Sequence, residues 1–210
     1  MTHRPRTRPI FLVIVLSLIF TIPTAALAVI WTETGDAGDL VDTAQVTSGA
    51  GGLTHINGSI SILPDHVDMY CISIPDPDNF YAIIYCQFDT DPDLWLFDQN
   101  GNGIAMEDVC GAGVVALTPD YVMTPGPYFI AVSANNDEAQ SATGSIWDPA
   151  GIAAQRAPDG AGAGDPLTSW TNSFPLPAAS YSISLIGAET CDNVVATEGA
   201  AWGTLKSTYR

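Results

Sequence analysis

The chain has 210 residues, of which 23 are acidic and 6 basic, for a formal net charge of −17. That balance excludes polyanions as partners, nucleic acid among them, while 47% hydrophobic against 14% charged residues supplies one sizeable core. With 19 Gly, 15 Pro and no long helix-period stretch beyond the N-terminus, the composition points to an all-β protein and away from a helical bundle.

Residues 1–9 carry Arg4, Arg6 and Arg8 and no acid, Ile10 to Ile22 is apolar apart from Ser17 and Thr21, and Ala26-Leu27-Ala28 closes the segment with small residues. The pattern predicts a signal helix over residues 1–28 with cleavage after Ala28, and an uncleaved anchor is the competing reading. Its removal takes three arginines and leaves a charge of −20 on a chain expected to be secreted or cell-surface. No second apolar stretch of spanning length follows, so no membrane span is expected after that removal.

Residues 29–50 read as a polar entry segment with Asp36, Asp39 and Asp42. Short apolar runs separated by Gly, Pro, Asn and Asp then predict strands at Leu53–Ile60, Val67–Ile74, Phe80–Phe88, Asp93–Phe97, Gly103–Glu107, Val114–Leu117, Pro127–Ser133 and Tyr181–Ile186. In the last, Tyr181, Ile183 and Leu185 alternate with Ser182 and Ser184, the period of a strand with one dry face and one wet. Eight such strands predict an antiparallel two-sheet sandwich of jelly-roll type. The Asn-Gly pairs of residues 98–103 supply the positive φ that a tight hairpin needs. From 149 to 166, thirteen of eighteen residues are Gly, Ala or Pro, so residues 149–178 read as a long surface loop, too poor in large side chains to build core. Residues 51–188 form the one domain, and 189–210 a tail ending in Trp202-Gly203 and Tyr209-Arg210, either a sorting signal or a frayed terminus.

Cys71, Cys86, Cys110 and Cys191 lie in the exported part, with no Cys-x-x-Cys spacing that would suggest zinc. Disulfides are expected, with three connectivities open. Cys86 and Cys110 flank the predicted hairpin and could meet across it, leaving Cys71 for Cys191. The same hairpin is rich in hard oxygen donors from Asp89 to Asp108. Asp98, Asn100, Asn102 and Gly103 follow the opening of an EF-hand loop, but Val109 stands where its bidentate glutamate belongs. A calcium site using Asp98, Asn100 and Asn102 with Glu107 or Asp108 of the returning strand is the metal expectation. Turn residues and solvated edge charges are the plainer one.

Catalytic signals are sparse. His55 and His66 are the histidines beyond the signal segment, and neither a His-Glu-x-x-His helix nor a Gly-x-Ser-x-Gly elbow occurs. Gly111-Ala112-Gly113-Val114-Val115-Ala116 fits a dinucleotide fingerprint in letters only, since no βαβ unit surrounds it. Among the aromatic residues, Trp95 belongs to the doubly apolar run Leu94–Phe97 and reads as core. Trp147 and Trp170 flank the long loop and are the candidates for stacking on a sugar ring.

Asp68-Met69-Tyr70, then Asp93-Leu94-Trp95-Leu96-Phe97-Asp98 with Asn100-Gly101-Asn102-Gly103, then Pro125-Gly126-Pro127-Tyr128-Phe129-Ile130-Ala131-Val132, and last Tyr181-Ser182-Ile183-Ser184-Leu185-Ile186-Gly187 together resemble the bacterial pre-peptidase C-terminal type of jelly roll, over roughly residues 51–188. The resemblance implies a non-catalytic accessory domain of exported proteins, binding a substrate or surface and in some members calcium. The function expected is a secreted, non-catalytic module, stabilised by calcium, that binds an extracellular polymer or protein. The alternatives are a structural component of the cell surface or matrix, and a secreted hydrolase using paired carboxylates.

Overall fold

A computed structural model describes residues 27–60, 66–86, 91–108, 110, 113–134, 137–150, 155–171 and 179–192. The expected signal helix, Asp89, Val109 and the terminal Trp202–Arg210 motif lie outside the described residues.

Thirteen strands form among the described residues: β1 (Ala28–Thr32), β2 (Gln45–Val46), β3 (Gly52–Ile60), β4 (Val67–Ile74), β5 (Tyr81–Tyr85), β6 (Asp93–Asp98), β7 (Gly103–Glu107), β8 (Val114–Leu117), β9 (Gly126–Ser133), β10 (Glu138–Ser141), β11 (Gly144–Ser145), β12 (Leu167–Thr171) and β13 (Ala179–Thr190). The helical content is two single 3₁₀ turns, Pro77–Asn79 and Pro119–Tyr121, each opening on a proline. The protein is an all-β sandwich.

Ten strands form one sheet that folds over on itself. In the first layer β1, β3, the front of β13, β5 and β8 lie side by side. In the second, β4, β9, β6 and β7 follow one another, with β2 and the end of β13 on the free edge of β4. β13 belongs to both layers: Ile183 pairs with Ile56 and Ile84, while Thr190 pairs with Ile72. It turns between them at Gly187, whose φ is +70° and where a Cβ would collide with the carbonyl oxygen of Asn79, so only glycine fits.

Between the layers, Leu53, Ile56, Ala82, Ile84, Val115, Leu117, Ile183 and Leu185 pack against Tyr70, Ile72, Ile74, Leu94, Leu96, Ile130 and Val132. A buried chain of hydrogen bonds crosses this core: the Tyr181 hydroxyl donates to Asp68 Oδ2 at 2.5 Å and lies 2.6 Å from the Tyr70 hydroxyl. Burial and the neighbouring Asp68 carboxylate push the Tyr181 phenol well above its ordinary range.

A second core lies on the far side of the second layer. Every residue of β4 is buried, as are Leu94–Phe97 of β6, because these strands are covered on both faces. Val67, Met69, Trp95, Phe97, Met106 and Ala131 point outward from the sandwich into a cluster with Ala139, Ile146 and Trp147. The cover is a three-stranded sheet, β11-β10-β12, so the molecule has three layers.

Two sequence expectations change here. Residues 149–178, expected to be a surface loop, contain β12 and part of the third layer: Arg156 is buried and its backbone bridges to Met106. The Gly/Ala richness there serves close approach, since a Cβ on Gly160 or Gly162 would strike the backbone at Ser145 and Gly144. Their N–H groups instead donate to the carbonyls of Ile146 and Ser145 at 3.0 and 2.8 Å. The entry segment 29–50 likewise carries most of β1 and all of β2, both paired in parallel with later strands. Disulfides join Cys71 to Cys191, with Cα atoms 5.5 Å apart, and Cys86 to Cys110, 6.2 Å apart. Two such bonds fit an oxidising extracellular or periplasmic compartment. Among the described residues no helix is long and apolar enough to cross a membrane.

Candidate functional site

The hairpin β6–β7 separates the acids that the sequence placed together. Asp98 closes the turn: its Oδ1 accepts the backbone N–H groups of Asn100 and Asn102 at 2.8 and 2.9 Å, and its Oδ2 accepts Asn102 Nδ2 at 2.9 Å. Gly101, at φ +83°, completes the reversal. Asp98 thus spends both carboxylate oxygens inside the turn. Glu107 pairs across the hairpin with Leu94, four residues from Asp98 along β6, or about 13 Å at the rise of an extended strand. It shares the sandwich-facing side of Leu94 and is buried, while Asp108 follows on the opposite face. Asp98 with its two asparagines thus lies at one end of the hairpin, and Glu107 with Asp108 at the other.

The two tryptophans offered as a sugar platform are also placed elsewhere. Trp147 is wholly buried; it meets Trp95 and Phe97 edge-on at 5.2 and 5.7 Å, and its Nε1 donates to the Arg156 carbonyl at 3.3 Å. Trp170 is half-buried, edge-on to Trp95 at 5.3 Å, with Nε1 donating to the Asp39 carbonyl at 2.6 Å. The Trp147 ring is thus wholly enclosed in the second core, while Trp170 packs at its rim and stays partly exposed.

The acids that do approach one another come from three distant segments. Asp93, which pairs with Ser133, is buried at the end of β6. Its carboxyl is held well above the usual range first by burial and then by the charges of Asp108, Asp91, Glu138 and Asp137. Burial likewise raises Asp108 and Glu138, and the Arg156 guanidinium opposes both shifts. Asp137 faces His66, with Oδ2 2.9 Å from Nδ1. The only described trio of ligand-type atoms within 4.8 Å of one another is Asp91 with Cys86 and Cys110, and those sulfurs are joined in a disulfide.

On the opposite side of the molecule the first layer presents a different surface. Tyr81, Tyr85 and Ile186 are 39%, 68% and 58% exposed. Tyr81 is paired with Ile186, and Tyr85 with Val114, and cross-strand partners share a face. Ile83 lies between the tyrosines, flanked by Ser184 and Ala116. Continuing across the sheet, Ser182 donates to Asn57 Oδ1 at 2.7 Å, and His55 stands opposite Ser184. No acid or lysine or arginine occupies these positions, in a chain of net charge −17. The signal for this face lay in the strand Phe80–Phe88, but Ala82 and Ile84 are as apolar as Tyr81 and Ile83, so the sequence did not say which side faces out.

The histidines are occupied by local partners. Nδ1 of His55 lies 3.2 Å from Thr54 Oγ1 and Nδ1 of His66 faces Asp137; among the described residues no serine hydroxyl bonds to either ring. No protein-family model matches the chain, and neither does any curated protein.

Proposed function

We propose that this is an exported, non-catalytic β-sandwich module of jelly-roll type, related to the pre-peptidase C-terminal domains, that binds an uncharged extracellular polysaccharide on the outer face of its first layer. The observation that carries the reading is the segregation of charge: an acidic chain keeps one sheet face free of it and sets Tyr81 and Tyr85 there. The two phenol rings sit on one strand about 13 Å apart, positioned to stack against successive parts of an extended chain. The neighbouring Ser182, Ser184 and Asn57 offer neutral hydrogen-bond partners for sugar hydroxyls. A polyanion would be repelled by the protein's charge, and a second copy would bring another −17 to the contact.

The signal segment and the two disulfides support export, and the locally engaged histidines support a role without catalysis. Affinity electrophoresis through gels containing xylan, mannan or mixed-linkage β-glucan tests the binding reading. The expected result is retardation by at least one of them, abolished in the Tyr81→Ala/Tyr85→Ala double variant with the melting temperature unchanged. Equal mobility in every gel, or retardation that survives the double substitution, would reject it.

A further inference from the structure

We infer that the fold seals the bond after Ala28, where the signal segment is expected to be cut, so that cleavage and folding compete and their order decides whether the module is released or stays tethered. The inference rests on the export reading and goes beyond it.

β1 begins at Ala28, so the scissile Ala28–Val29 bond lies inside the first strand of the sandwich and not in a spacer ahead of it. Ala28 is paired with Gly52 and Val29 with Leu53. The Val29 carbonyl accepts the Thr54 hydroxyl at 3.1 Å, and Val29 and Trp31 pack against the main core. The Trp31 indole donates to Gln45 Oε1 at 3.2 Å. One residue upstream, the Leu27 backbone passes so close to Gly51, at φ +123°, that a Cβ there would fall on the Leu27 carbonyl oxygen. The positions on both sides of the bond are therefore built into the sheet.

Hydrolysis adds water to the Ala28 carbonyl carbon, breaks the bond to the Val29 nitrogen and leaves that nitrogen the proton. A peptidase must hold the flanking residues extended in its own cleft, with its nucleophile about 3–3.5 Å from the carbonyl carbon. In the folded chain β3 holds one edge of those residues and the core holds one face, so β1 has to lift before the bond can enter a second cleft. Among the described residues β1 pairs only with β3, whose partner positions Gly52–Asn57 come later in the chain. The bond is open while the intervening residues emerge, and it closes once they have paired. A precursor that folds first keeps the apolar run Ile10–Ile22, which ends four residues ahead of Leu27, and is held at the membrane by it.

The full-length precursor is purified in detergent and incubated with a signal peptidase in two forms, one folded and oxidised, the other reduced and freshly diluted from urea. Mass spectrometry reads the new N-terminus. The reduced form should be cut after Ala28, and the folded form at least about tenfold more slowly, because cleavage then waits on the minor population in which β1 has opened. Inserting roughly six Gly/Ser residues between Ala28 and Val29, about 20 Å of extended chain, moves the bond clear of the sheet and should restore rapid cleavage of the folded form. Equal rates for the folded and reduced forms, or an inserted variant as resistant as its parent, would overturn the sealing while leaving export intact. A reduced precursor that is not cut, or is cut elsewhere than after Ala28, would overturn the signal reading and the inference with it.

Discussion

Replacing Trp147 with alanine separates two incompatible accounts of that residue. As a surface platform its loss would leave stability within about 0.5 kcal/mol, the usual range for exposed positions, and abolish ligand binding. As found, the ring is fully buried against Trp95 and Phe97 and donates to the Arg156 carbonyl. An indole buries about 200 Å², worth about 5 kcal/mol at 25 cal/mol per Å². A compact unfolded state already covers part of that surface and trims the figure to about 3–4 kcal/mol. Two edge-on ring contacts return some of it at about 0.5–1.5 kcal/mol each. The expected cost of Trp147→Ala is therefore about 4 kcal/mol, in line with large-to-small changes of buried aromatic residues. Urea unfolding followed by far-ultraviolet circular dichroism reads it as a shift in midpoint at constant slope. A loss under about 1 kcal/mol would refute the buried placement and with it the second core.

The disulfides differ in the chain they close: separations of 120 and 24 residues give loop-entropy contributions of about 5 and about 3 kcal/mol. Replacing Cys71 and Cys191 by serine should therefore destabilise more than replacing Cys86 and Cys110, and the reverse order in denaturant melts would contradict the entropic account. Burial holds Asp93, Asp108 and Glu138 above the ordinary carboxylate range, so the folded state binds protons that the unfolded chain has released. Their contribution is fully present below the unfolded carboxylate pKa of about 4 and is lost as pH rises through the raised values. The melting temperature should therefore climb as pH falls from neutrality toward the unfolded carboxylate range, and Asp93→Asn should flatten the climb. A fall over that interval, or a slope the variant leaves intact, would contradict the assignment.

The eight antiparallel strands of the sandwich were legible because each carries its own alternation or apolar run, with turn residues on either side. Leu94–Phe97 held more information than a strand assignment: four consecutive large apolar residues require cover on both faces, and the third layer is that cover. β10 and β12 gave no such sign. Glu138–Ser141 and Leu167–Thr171 have few large side chains, and they become strands because Trp170 and Ala139 seat on Trp95 and Phe97. The placement of the acids was not legible for a geometric reason. Neighbours along a hairpin run to opposite ends and opposite faces of it, so Asp98 and Asp108 are distant, while Glu138 arrives from thirty residues downstream to stand near Asp108. Tyr81 and Tyr85 were readable as strand residues, but not as surface, because both faces of β5 are apolar.

Because the front of β13 fills the gap between β3 and β5, and its end caps β4 beyond the glycine hinge, the hydrophobic interior has no lid until residue 190 arrives. A polypeptide emerging N-terminus first, from a ribosome or a translocation pore, therefore keeps the edges of β3, β4 and β5 unpaired until β13 follows. Closure waits for β13, and the pairing that achieves it joins residues more than a hundred positions apart, a topology that folds slowly. The same arrangement that makes the finished sandwich hard to open keeps the chain threadable until β13 has passed through.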